Sequence, residues 1–449
     1  MTISEITNKF LESRVQTEGL FYVQMLGSFL SLKDKKYLLA LDPFTLKKEI
    51  YAWFNSNTLE KSFNTMKINE VYNQLQYLCD TIDLKDDKYI VFDDFLLNTE
   101  TFELSDFDEK KLSTFYLPYN HEEILKSDCP NFMNFISSSI VEKNDHSKPD
   151  FETINFIQEM MGYLLLPSIK ACASFFLVGE GQNGKSTFAK IIRGIIGKKF
   201  TSALSLETLT TNRFALPSII GKRVNICNEE ESKFVSHSMF KALVGGDPVT
   251  GEHKHGNHFD FEPRTKFMFC SNDQPTFNGL SHGLRRRIYI IPFFRIFTNE
   301  EQDGDLFEKI QSEFPGVLRW MLSGAKRLVE NKYIFSKVSM AMGDSMIEFE
   351  NETSSSLCFA REFYTVSEDG FISNKDLYAH YVSWCLENGR KPMGSYNFGK
   401  DLMKNLKGID KECKKNNIRG KNLKIKSESI DQTDIFDIHA PAFMATEQQ

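Results

Sequence analysis

The chain has 449 residues, of which 41% are hydrophobic and 26% charged, and it carries a net charge of −7. That composition excludes a disordered chain, and the length gives two to four domains with at least one sizeable core. The negative balance argues against wholesale coating of nucleic acid, and no apolar run approaches the roughly 20 residues of a membrane span.

The start, "MTISEITNKFLESR", has no apolar h-region, so a cytoplasmic protein without a membrane partner is expected. Eight dispersed cysteines form no C-x-x-C pair, which speaks against a zinc site or a disulfide scaffold. Residues 1–145 mix helical stretches ("KINEVYNQLQYLCDTI") with extended ones ("KYIVFDDFLL"), and predict an α+β domain that forms a ring or contacts DNA. The acidic "SDFDE", with Asp106 and Asp108, reads best as a solvated loop. Polar "VEKNDHSKPD" (141–150) reads as a linker.

From 151 to 335, helical and extended segments alternate as in a parallel α/β sheet. The strands expected are "ASFFLV", "KRVNIC", "TKFMFCS" and "RIYIIPF", each short and apolar, as strands covered on both faces should be. Polar "ENETSSS" (350–356) precedes a compact region, 356–426. There, two helices ("NKDLYAHYVSWCLENG" and "SYNFGKDLMKNLKG") lead into basic "KKNNIRGKNLKIK", read as a hairpin. Between Arg390 and Lys426 there are 12 Lys or Arg against 3 acids, whereas the tail 427–449 has five acids and no Lys or Arg.

The stretch "FFLVGEGQNGKSTFAK" carries the first chemical signal. Gly179, Gly184, Lys185 and Ser186 satisfy G-x-x-x-x-G-K-[ST] between a candidate strand and a candidate helix. Backbone N–H groups from Gly179, Glu180, Gly181, Gln182, Asn183 and Gly184 through Thr187 would face phosphate oxygens, with the helix N-terminus adding positive potential. Lys185 would reach the β- and γ-phosphates of ATP, and the Ser186 hydroxyl would ligate Mg²⁺. The plainer alternative, a glycine turn with an exposed lysine, leaves the flanking strand and helix pattern unexplained.

Such a site needs an acid at the end of a neighbouring strand. "KRVNICNEEE" offers Glu229 and Glu230, the first of them 44 residues after Lys185, with Glu229 the first candidate for holding Mg²⁺. "TKFMFCSNDQP" ends in Asn272, an amide suited to sensing a γ-phosphate, although Asn is also common before a turn. "GLRRRIYIIPF" places Arg285, Arg286 and Arg287 before a strand. Any one of the three is a candidate arginine finger for a neighbouring subunit; the alternatives are a basic solvated turn or an arginine paired to the glutamates of its own subunit. Between these, "KALVGGDPVTGEHKHGNHFDFEP" predicts a protruding hairpin whose tip, Lys254 and His255, would grip a DNA backbone. Metal binding by His253, His255 and His258 is disfavoured by the irregular loop and the lack of cysteine partners.

The order of these motifs resembles a superfamily 3 helicase of the phage-, plasmid- and poxvirus-type primase–helicase branch. The resemblance extends to "IVFDDFLLNTETFEL", "CPNFMNFI" and "PGVLRWMLSGAKRL", and to "DLYAHYVSWCLENG … FGKDL". It implies an AAA+-like P-loop NTPase core flanked by a mixed α/β N-terminal domain and a C-terminal winged-helix-like domain. It also implies a homohexamer that binds single-stranded or forked DNA and origin duplex, and hydrolyses ATP with Mg²⁺ while unwinding DNA for replication of a mobile element. A separate primase or host replication proteins would be its partners. The basic C-terminal region, Lys421 and Lys424 included, would supply salt-sensitive DNA affinity. An ATP-switched origin-binding initiator without processive unwinding shares every motif and stays open, while a small-molecule kinase would need neither the arginines nor the basic domain.

Overall fold

The computed structural model describes residues 2–426, apart from 18, 24–27, 35, 58–63, 82–87, 109–110, 112, 231–236, 253–257, 278 and 411–412. The chain divides into two compact units. Of the described residues, one unit comprises 2–275 and 287–345, and the other comprises 276–286 and 346–426.

The first unit begins with a small α+β layer. Strands Leu20–Val23, Ser28–Lys33 and Tyr37–Leu41 form an antiparallel run, with Asp80–Thr81 added in parallel to the first. Helices Ile3–Thr17, Pro43–Asn57 and Thr65–Leu78 cover it. The last of these buries Val71, Tyr72 and Leu75, a single face at helical spacing, and is N-capped by Asn64. Phe10, Phe29, Ile50 and Phe54 close this local core.

Residues from Ile90 to Ile140 instead share a core with the sheet that follows, through Ile90, Phe92, Phe115, Phe132 and Ile136. The stretch expected to be a linker is folded. Strands Val141–Glu142 and Asp145–Pro149 pair as a hairpin around a two-residue turn, and Asp150 caps the helix Phe151–Leu165. Its polar composition reflects exposure rather than lack of structure.

The main sheet has five parallel strands: β1 Ser174–Val178, β2 Thr201–Ser202, β3 Val224–Cys227, β4 Lys266–Ser271 and β5 Ile288–Pro292. Their order is β2-β3-β4-β1-β5. β1, β3 and β4 are buried along their whole length, which is why they read as unbroken apolar runs. Helix α1, Lys185–Ile196, follows β1 and turns Phe188, Ile191, Ile192 and Ile195 into the core. Helix Phe314–Glu330 packs on Phe151–Leu165, where buried Glu159 binds Arg327 Nε at 2.6 Å. The mixed α/β class with a parallel sheet is therefore as the sequence implies.

In the second unit, helices Ser355–Phe363, Asn374–Glu387 and Ser395–Asn405 surround Phe359, Tyr381, Trp384 and Phe398. The Tyr381 and Phe398 rings stack at 4.3 Å. Strand Tyr364–Val366 pairs with Leu423–Ile425, and Ile418–Lys421 pairs with both Ile372–Ser373 and Cys413–Lys415. The polar run 350–356 is a helix junction: Ser354 accepts from the Leu357 N–H and starts the next helix. Among the described residues no helix is long and apolar enough to cross a membrane.

Candidate functional site

The parallel register brings three strand ends together. Val178 of β1 lies beside Ser271 of β4, and Cys227 of β3 lies beside Phe269. Gly179, Asn228–Glu230 and Asn272 therefore all leave the same edge of the sheet. In open α/β sheets, ligands bind outside the carboxyl ends of strands.

The loop from Gly179 to Gly184 has a built backbone. Gly184 has φ +88°, a left-handed conformation that a side chain would strain, and Gln182 has φ +60°. A Cβ on Gly184 would also sit 3.0 Å from the Phe135 ring and 3.1 Å from Ser139 Oγ. Gly179 faces a different barrier, because a Cβ there would lie 2.3 Å from the Phe293 carbonyl oxygen.

Lys185 is only 6% exposed although it opens helix α1. Its ammonium donates to the carbonyls of Gly179 and Glu180 and to Asn183 Oδ1, the last two at 2.9 Å. Asn183 in turn donates to the Phe293 carbonyl. Burial lowers the Lys185 pKa below that of an ordinary lysine. Burial also pushes the nearby Cys227 and Cys270 thiols up, to about 11 and about 12, so both stay neutral at physiological pH. Ser186 is exposed at the first turn of α1, and Thr187 is half-buried.

The two glutamates differ in environment. Glu230 is 6% exposed, and its carboxylate accepts the Leu206 N–H at 2.7 Å, at the start of helix Leu206–Thr211. Its own N–H donates to the Cys270 carbonyl, tying β3 to β4. Glu229 is exposed. Asn272 is exposed too, just past β4, which lies between the loop strand and the acidic strand.

The three arginines also separate. Arg285 pairs with the fully buried Glu350, Arg287 is 9% exposed, and Arg286 is exposed. The Arg287 carbonyl accepts from Ser174 N and Oγ, which fixes it at the opposite end of β1 from Gly179. Four residue steps of strand separate those ends by about 13 Å. The Arg287 backbone therefore lies away from Asn272 and the loop within its own chain.

The arms of the expected hairpin are Val249–Glu252 and His258–Phe261, in antiparallel register. The expected tip, Lys254 with His255, lies outside the described residues. Lys424 is exposed on its strand, but Lys421 is buried and its ammonium is bound by the Asp410 carbonyl. Lys421 thus holds the fold rather than offering a surface charge. The sequence motif gives Asn183 a backbone role only, and it is silent on Phe135 and Ser139. The side-chain bridge from Asn183 to Phe293 and the wall behind Gly184 both involve partners far away along the chain.

Two family descriptions match parts of the chain. Residues 177–287 match a family of unknown function (DUF5906), and residues 356–437 match the poxvirus D5 protein-like family. The chain is 23% identical over 257 residues to Primase D5 of fowlpox virus (strain NVSL), covering 55% of this chain and 30% of that protein. These matches support the likeness to the phage- and poxvirus-like primase–helicase branch. The helicase candidate L207/L206 of Acanthamoeba polyphaga mimivirus is 24% identical over 162 residues, 34% of this chain and 17% of that one. The chain thus spans less than a third of the curated relatives it matches. Among solved structures, the A-form apo structure of the NrS-1 C-terminal region superposes with a TM-score of 0.52 at 10% identity, covering 94% of this chain and 98% of that one. A second A-form structure of that region gives 0.53 at the same identity, covering 93% and 99%. At that identity the likeness speaks for the fold alone.

Proposed function

We propose that this chain is an ATP-hydrolysing DNA helicase that drives replication of a phage, plasmid or other mobile element as a ring of copies, a homohexamer. The observation that carries the reading is the convergence of the Gly179–Lys185 loop, Glu229 and Asn272 on one edge of the parallel sheet. That arrangement is what an AAA+-like P-loop core requires.

The donor set fits a magnesium nucleotide. Gly179 and Gly184 allow close backbone approach, and Lys185 offers a buried positive charge. Ser186 and Glu229 are the oxygen ligands available to Mg²⁺, which neutralises charge developing on the phosphates when bound. Glu230 orders the backbone beside them. Asn272 would report on the terminal phosphate.

Arg286 is the finger best suited to a neighbour's site. It is exposed, and it is joined directly to Arg287, at the opposite end of β1 from its own chain's loop. DNA would meet the paired arms Val249–Glu252 and His258–Phe261 and the exposed basic strands around Lys424. The helix–helix–hairpin order of the second unit supports a winged-helix-like reading.

The test pairs two disabled variants. Lys185→Ala and Arg286→Ala should each abolish DNA-stimulated ATPase and opening of a forked duplex. Mixed together they should regain activity, because one supplies a finger to the other's intact loop. No regain would show that Arg286 does not act between subunits. Strong wild-type ATPase with no fork opening would replace the helicase by an ATP-switched initiator.

A further inference from the structure

The segment Thr276–Arg286 lies in sequence between two strands of the main sheet, yet it folds with the second unit. Within that unit its anchors are specific. Arg285 Nε pairs with Glu350, whose carboxylate is wholly buried and also binds Arg361 Nη2. Lys404 Nζ donates to the Leu280 carbonyl at 2.8 Å, and the Phe277 and Phe349 rings meet edge to face at 6.1 Å. A carboxylate buried this fully needs paired charge and hydrogen bonds, and two guanidinium groups supply them here, so losing either removes part of that compensation.

Arg286 is the next residue after Arg285. Its backbone is therefore set from one side by a clamp in the second unit and from the other by Arg287, fixed to β1. We propose that Glu350 is a positioning residue for Arg286: through Arg285 it makes the C-terminal unit the holder of the finger, so that events in that unit change ATP hydrolysis at a neighbour's loop. The proposal rests on the reading of Arg286 as that finger. It gives the ion pair a task that the stability of the unit alone does not require.

The experiment measures DNA-stimulated ATPase, nucleotide affinity by fluorescent-analogue titration, and thermal stability, using the full chain. Glu350→Gln, which keeps size and loses charge, should lower kcat by about 10- to 100-fold, as a misplaced catalytic group does. KM and nucleotide affinity should stay within about twofold of wild type. The milder Lys404→Met should lower kcat less, with no change in melting temperature. Glu350→Gln combined with Arg286→Ala should be no slower than Arg286→Ala alone, because both act through one group.

Wild-type kcat in Glu350→Gln, with Arg286→Ala depressed, overturns the proposal and leaves the finger standing. Wild-type kcat in Arg286→Ala removes the finger and the proposal with it. A Glu350→Gln chain that melts early and binds nucleotide poorly, beside a Lys404→Met chain with wild-type kcat, also overturns it.

Discussion

Glu229 and Glu230 are adjacent and chemically identical, and the structure separates their tasks by burial. Consider Glu230→Ala. The Leu206 N–H loses a charged acceptor at 2.7 Å in a site where the glutamate is 6% exposed. A buried donor left unmatched costs about 1–3 kcal/mol. Taking about 2 kcal/mol, and a urea m-value of about 3 kcal/mol/M, the unfolding midpoint should fall by about 0.7 M. Glu230→Gln keeps an acceptor and should lose about half as much. Glu229→Gln touches an exposed side chain and should leave the midpoint unchanged, while lowering ATPase kcat by two or more orders of magnitude. Urea titration followed by tryptophan fluorescence, together with steady-state ATPase, reads both quantities. The reasoning fails if Glu230→Gln abolishes turnover at an unchanged midpoint while Glu229→Gln turns over normally.

Gly184→Ala forces a side chain into φ +88° against Phe135 and Ser139, so stability should fall by about 1–2 kcal/mol and nucleotide titration should show binding lost. Glu313 accepts the N–H groups of Asn131 and Phe132 at the start of helix Pro130–Ser139, whose own N-cap makes no side-chain bond. Glu313→Ala should therefore cost about 2 kcal/mol in a urea melt. His380 is packed against Phe359 and Phe363, and its Nδ1 meets the Tyr364 hydroxyl at 2.7 Å. Burial lowers its pKa below 6.5, so the unfolded chain takes up the proton first as pH falls. The stability that neutral His380 contributes is present above about pH 6.5 and is lost as pH falls through its depressed folded pKa. Melting at pH 7.5 and 5.5 should show the loss, and His380→Gln should diminish it.

The turn from Gly179 to Lys185 is legible in the sequence because its residues are contiguous and its flanks show the expected periods: an apolar strand, then helix α1. The strands of the main sheet are legible for the same reason. What stays hidden depends on contacts far apart in sequence. Nothing near Glu230 announces that its carboxylate binds Leu206 N, and nothing near Arg285 announces Glu350. Lys421 misleads because composition counts charges without saying which ones face inward. The stretch 141–150 misleads because a hairpin exposed on most of its surface has the composition of a linker.

The separation of the three arginines follows from where each sits relative to β5. Arg287 must stay at the sheet, because its carbonyl satisfies both Ser174 N and Ser174 Oγ at the start of β1. Arg285 is held within the second unit, because Glu350 would otherwise keep a buried charge with one partner fewer. The residue between them is left with neither obligation. A finger must cross to another molecule while its backbone stays fixed, and an exposed side chain between two anchored neighbours meets both conditions. Three consecutive arginines therefore differ in setting: two are anchored, and the middle one is exposed, as the finger role proposed for it requires.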